Sequence, residues 1–271
     1  MGLMDDAATS CLTLALLAQG GQKRVYAGEH PQYGSVVIKL GDYHQTTSLE
    51  RVAREVGLLR EINSPYYPKQ FDFRVDMVER QFLIMEERLD AVELTQVTGR
   101  FNTDESILQF LVHLLRGFGL IWERRVVHRD IKPANILVAP TNEPRIIDLG
   151  IARFLDDVSL TASVAGQGPG TLVYTSPEQL LNRKRLINHR TDFFLLGILI
   201  LQLMHGRHPF DPRFVGNQGA IVDNLAQAIY VPPAPNRDPR LVKFVTRCLE
   251  RLPFRRFRDV SEIWECLEGR G

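Results

Sequence analysis

The sequence predicts an α+β chain in two parts, a small antiparallel β-sheet carrying one helix followed by a mainly helical portion. Three observations predict it. The first 85 residues are mostly short β-branched runs around a single helical pattern, the remainder is mostly long apolar helical patterns, and no repeat or low-complexity linker lies between them. With 271 residues, 44% of them hydrophobic, each part can bury a core of its own.

The elements follow in order. LTLALLAQ alternates weakly, and KRVYAG and SVVIKL are short β-branched runs broken by Gly20-Gly21, Gly28 and His30-Pro31, the pattern of an antiparallel meander. Thr47 with Glu50 three residues later is a capping-box signature, and Leu49, Val52, Val56, Leu59 and Ile62 recur at helical spacing. A helix is therefore expected from Thr47 to just before Ser64-Pro65. QFLIMEE reads as a buried strand running into a polar turn, and ESILQFLVHLLRGFGLIWERR as a long apolar helix. The most apolar run, Phe193 to Met204, falls short of the ~18 residues a bilayer span requires and reads as a buried core helix.

Charge and cysteine content exclude several classes of function. Lys+Arg 33 against Asp+Glu 32 gives a formal net charge of +1, so there is no overall electrostatic case for a nucleic-acid or anionic-membrane partner. Cys11, Cys248 and Cys266 form neither a C-x-x-C pair nor a cluster with histidine, which argues against zinc and a disulfide framework and for a reducing, cytoplasmic setting. Asp5 and Asp6 stand where a secretory signal would be basic, and Asp6 breaks the pattern of a myristoylation signal.

The chemistry is concentrated in VVHRDIKPANILV, residues 126–138, and in IIDLG shortly after it. Phosphoryl transfer asks little covalent work of an enzyme; it needs a carboxylate to orient the hydroxyl, ligands for metal ions and cations for the phosphates. These two segments supply such groups. They resemble the catalytic loop and metal-binding segment of the eukaryotic-type (Hanks-type) serine/threonine protein kinases, with His128-Arg129-Asp130 matching H-R-D and Asp148-Leu149-Gly150 matching D-F-G with Leu for Phe.

The resemblance implies a bilobal protein kinase fold over 1–271, with an N-lobe at 1–85, a hinge at 86–89 and a C-lobe at 90–271. It implies that Asp130 accepts the proton of the attacking hydroxyl, that Asn135 and Asp148 hold Mg2+ (or Mn2+), and that Lys132 neutralises the γ-phosphate of ATP. Lys132 also marks a serine/threonine acceptor, since tyrosine kinases lack it. Lys39 in VVIKL is similar to the strand lysine that grips the α- and β-phosphates, and Glu55 to its ion-pair partner on the helix. The glycine-rich loop is reduced to Gly20 and Gly21, with Ala18 and Lys23 where outer glycines would stand. Val25, Val37 and Leu137 would line the adenine slot. Met85 resembles the gatekeeper, and Glu86 to Arg88 the hinge whose backbone pairs with adenine.

The similarity extends over nearly the whole chain. Ser176-Pro177-Glu178 stands in place of A-P-E, Thr171 would bond near Asp130 and Lys132, Asp192 would brace the catalytic loop, and Arg256 would be the buried partner of Glu178. Arg51, Arg129 and Arg153 would form a pocket for a phosphorylated residue, with Ser159, Thr161 and Ser163 as the available acceptors. The expected activity is transfer of the γ-phosphoryl group of ATP to a protein serine or threonine, with autophosphorylation. Two alternatives carry different expectations. A nucleotide-binding pseudokinase is suggested by the poor glycine loop but opposed by Lys39, Asp130, Asn135 and Asp148; a kinase-fold enzyme acting on a small molecule is opposed by Lys132, Thr171 and the S-P-E segment.

Overall fold

A computed structural model describes residues 2–19, 23–149, 172–211 and 217–269, apart from the side chain of Thr47. Gly20, Gly21, Arg153, Ser159, Thr161, Ser163 and Thr171 lie outside the described residues. Among the described residues, those up to Asp90 form one compact unit and those from Ala91 onward another.

The first unit is a five-stranded antiparallel sheet in the order β1-β2-β3-β5-β4, built from β1 (Thr13–Gln19), β2 (Lys23–His30), β3 (Gly34–Asp42), β4 (Gln70–Asp76) and β5 (Gln81–Glu87). Side chains alternate across it with period two, so its two faces carry different residues of the same strands. On one face Val36, Ile38, Leu40, Leu83 and Met85 pack with Leu3 and Ala7 of helix α1 (Leu3–Ser10). On the other, Phe82 and Ile84 pack with Tyr43 and with Val52 and Val56 of helix α2 (Thr46–Ile62). Gly41 is required on that second face: a Cβ there would meet the Phe82 ring at 2.4 Å.

One expectation is revised here, and one element is new. Helix α2 begins at Thr46 with Gln45 as its N-cap and no side-chain cap, so Thr47 stands inside the first turn and not at the N-cap. The left-handed Asn63 at φ 36° ends it, as an asparagine C-terminal to a helix readily does. Helix α1 was not anticipated at all. It is eight residues long, too short for a helical period to stand out, and Asp5 and Asp6 in its first turn favour its N-terminus electrostatically.

The second unit is mainly helical: α3 (Leu94–Val97), α4 (Asp104–Trp122), α5 (Pro177–Leu180), α6 (His189–His205), α7 (Gln218–Gln227), α8 (Pro239–Cys248) and α9 (Val260–Leu267). A small sheet β6-β7-β8, of Val92–Glu93, Ile136–Val138 and Pro144–Ile146, carries the segments on either side of the predicted catalytic residues. Thr103 caps α4, accepting from Ser106 N–H at 3.2 Å. Helix α6 is buried around its circumference from Phe193 through Leu201, as a helix apolar on all sides must be, and each such Leu, Ile or Phe contributes about 1.5–3 kcal/mol. Gly197 admits α8, because a Cβ at that position would lie 2.8 Å from Cys248 Cβ. Among the described residues, no helix is long and apolar enough to cross a membrane.

Candidate active site

The catalytic loop is held from beneath by one buried carboxylate. Asp192, in the first turn of α6, accepts from His128 N–H and the Trp122 indole N–H through Oδ2 and from Arg129 N–H through Oδ1, each at 2.8 Å. Burial pushes its carboxyl up to about 6, against the pull of those three donors. The clamp fixes a costly backbone conformation. Arg129 sits at φ 67°, a left-handed geometry that costs a non-glycine residue about 1–3 kcal/mol unless its surroundings impose it.

From above, Gln179 Nε2 donates to Arg129 O at 2.9 Å. That glutamine belongs to α5, whose N-cap Ser176 receives Gln179 N–H on its hydroxyl and donates its own N–H to Gln179 Oε1. The sequence reading missed Gln179; S-P-E-Q is a capping-box pattern that marks a helix start there, though not the contact with Arg129. The neighbouring Glu178 forms the expected pair with Arg256 through two parallel bonds of 2.7 and 2.9 Å, both side chains buried and Thr191 Oγ1 donating to the same carboxylate.

On this frame the residues expected to be catalytic converge. Asn135 Nδ2 donates to both Asp130 O and Asp130 Oδ2 at 2.8 Å, and Lys132 Nζ lies 3.2 Å from the same Oδ2. All three residues are less than one-tenth exposed. His128 is fully buried, its Nδ1 accepting Asp130 N–H, and burial lowers it to about 4, so it is neutral at physiological pH and props the loop. Ile147 N–H donates to Asn135 O at 3.0 Å, tying the segment that leads into Asp148 to the loop. Asp148 is half-buried at φ 57°, and Leu149 beside it is buried.

This donor set suits a hard divalent cation. Because Asn135 commits its NH2 group to Asp130, its Oδ1 accepts no hydrogen bond among the described residues, and the other candidate ligand, Asp148, is also an oxygen donor.

In the first unit, the register pairs Lys39 with Ile84 and Val37 with Glu86, which places Lys39, Val37, Ile84 and Glu86 on the face that α2 covers. Val25 and Ala27 of β2, opposite Lys39 and Val37, share it, and Val25 and Val37 are only half-buried although apolar. Glu55 of α2 is half-buried on this side of the sheet, and Arg51 is buried in the same helix. Lys39 Nζ lies 2.8 Å from Glu86 Oε1.

Here the gatekeeper expectation is corrected. Met85 is 2% exposed on the opposite face, among Leu3, Ala7 and Ile38, so its side chain lies across the sheet from Lys39, and Glu86 shares the Lys39 face instead. The segment expected to form the hinge begins in the same sheet. Glu86 lies in the ladder opposite Val37, and Arg88 N–H donates to Ser35 O at 3.1 Å, so these backbone groups are engaged within the sheet. Leu137 is half-buried in β7 of the second unit.

Comparison with known proteins settles the family. Residues 13–265 match the protein kinase domain. This chain belongs to the protein kinase domain family. Similar relatives include the serine/threonine-protein kinases pkn2 and Pkn1 of Myxococcus xanthus, each 30% identical over 93% of this chain and over 31% and 37% of their own lengths, respectively. Another is pakH of Dictyostelium discoideum, also a serine/threonine-protein kinase, 25% identical over 92% of the chain and 46% of its own length. The kinase domain thus spans less than half the length of these relatives.

Proposed function

We infer that the kinase domain transfers the γ-phosphoryl group of ATP to serine or threonine hydroxyls of a protein substrate, itself included. One observation carries the reading: the Asp130 carboxylate is oriented by Asn135 Nδ2 and Lys132 Nζ on a loop that Asp192 clamps. Asp130 then accepts the substrate hydroxyl's proton as the oxygen attacks phosphorus, and the Lys132 ammonium offsets the charge of the transferred group. Asn135 Oδ1 and the Asp148 carboxylate would hold Mg2+, which when bound neutralises phosphate charge. Lys39 grips the α- and β-phosphates, and Val25 and Val37 cover adenine. The names of the relatives support the serine/threonine acceptor, as does Lys132. The setting is cytoplasmic, with no nucleic-acid partner.

The test is transfer of labelled phosphate from ATP to a protein acceptor and to the domain itself, by wild type and Asp130→Asn. Wild-type turnover that the variant lowers about 10²- to 10⁴-fold is expected. Equal transfer by both proteins would overturn the assignment.

A further inference from the structure

We propose that Glu86 is a positioning residue for Lys39, holding the phosphate-gripping ammonium from within the sheet itself. The inference rests on the nucleotide-binding reading given above. Lys39 and Glu86 are diagonal neighbours across β3 and β5, a separation that two long side chains on one face bridge. Their side chains are 10% and 7% exposed, and the ion pair closes at 2.8 Å. The carboxylate is fixed at both ends: Oε1 faces Lys39, and Oε2 accepts from Gln70 Nε2 at 3.1 Å. Gln70 is in turn Glu86's cross-strand partner on β4, and its amide also donates to Pro68 O at 3.2 Å.

Such an anchor matters because lysine's compact charge rides on a flexible four-carbon stem whose ordering costs entropy when a ligand binds. A carboxylate already in place removes part of that cost, and an ammonium has three donors, so a partner on one is compatible with phosphate oxygens on the others. Glu86 is furnished by the same sheet as Lys39. The lysine is therefore held by the sheet's own register, whatever helix α2 and Glu55 contribute.

A positioning role and a merely structural pair differ in which part of the ligand feels the change. Lys39 grips phosphates, so loss of Glu86 should weaken ligands that carry phosphate and spare those that lack it. Calorimetric titration of ADP with magnesium, and of adenosine, into wild type and Glu86→Gln reads this directly. The near-isosteric variant should bind ADP about 10- to 100-fold more weakly, the loss of a charge-assisted contact, and adenosine within about twofold. Gln70→Met, which frees Oε2 and the Pro68 carbonyl but leaves Oε1 facing Lys39, should weaken ADP by about threefold, and decides the matter if Glu86→Gln does not fold. Unchanged or tighter ADP binding overturns the proposal, as does a parallel loss of ADP and adenosine, which would assign Glu86 to the purine or to the fold. A wild-type protein that binds neither ligand would instead refute the nucleotide reading itself, and this proposal with it.

Discussion

Replacing Asp192 by asparagine should disable the catalytic loop without touching any group that meets substrate. An amide presents one acceptor where the carboxylate presents two. Placed at the Oδ2 position, the amide oxygen keeps the His128 and Trp122 donors, but its NH2 group then faces Arg129 N–H, donor against donor. One buried N–H left without a partner costs about 1–3 kcal/mol, and the bonds that remain lose their charge assistance. Arg129 simultaneously loses the clamp on its left-handed backbone at φ 67°, so the loop gains about 1–3 kcal/mol by relaxing and carries Asp130 with it. We expect a stability loss of about 2–4 kcal/mol by urea denaturation and a fall in kcat of about 10- to 100-fold, since misplacing a reacting group by even ~1 Å costs about 10²-fold. The KM for ATP should change little. An Asp192→Asn protein with wild-type kcat and midpoint would show that the clamp does not set the position of Asp130.

Asp130→Asn keeps an oxygen that can accept from Asn135 but removes the charge that the buried Lys132 ammonium faces at 3.2 Å, so the urea midpoint should fall modestly while kcat falls about 10²- to 10⁴-fold. Arg256→Met strands the buried Glu178 carboxylate and should cost about 3–5 kcal/mol, whereas the double variant Glu178→Met/Arg256→Met should recover the part owed to the stranded charge, though not the bonds from Arg256 to the Glu250, Arg190 and Arg251 carbonyls; a double variant no more stable than the single would refute the pairing argument. Acid should destabilise the protein between about pH 6.5 and 4. His128 and His208 are both lowered to about 4 by burial, so the unfolded chain takes up protons there that the folded one refuses. Asp192, raised to about 6, acts in the opposite sense, gaining stability as pH falls through that value, and the three together give a net loss of about 2–3 kcal/mol between pH 7.5 and 5, read as a shift in urea midpoint. The combined variant Ser159→Ala/Thr161→Ala/Ser163→Ala should lose autophosphorylation, by mass spectrometry, and activity with it; undiminished activity would mean these hydroxyls are not the switch.

The sequence by itself determined the family, the catalytic loop and the scaffold pairs. Phosphoryl transfer needs particular residue types at fixed spacings, so Asp130, Lys132, Asn135 and Asp148 were legible as a string, and Asp192, Glu178 and Arg256 followed by resemblance. The long helices were legible because α4 and α6 carry enough apolar residues to declare themselves. What only the tertiary structure decided was which way residues of similar type point. QFLIMEE is apolar on both faces because both are covered, by α1 on one side and α2 on the other, so the alternation that would assign Met85 and Glu86 to their faces is hidden in the sequence. The helix that settles it, α1, is too short to be seen as a pattern, and it was the packing of Leu3 and Ala7 against Met85 that turned Glu86 toward Lys39. Gln179 was hidden for a related reason: its contact with Arg129 O joins residues 50 positions apart, a distance no local pattern spans.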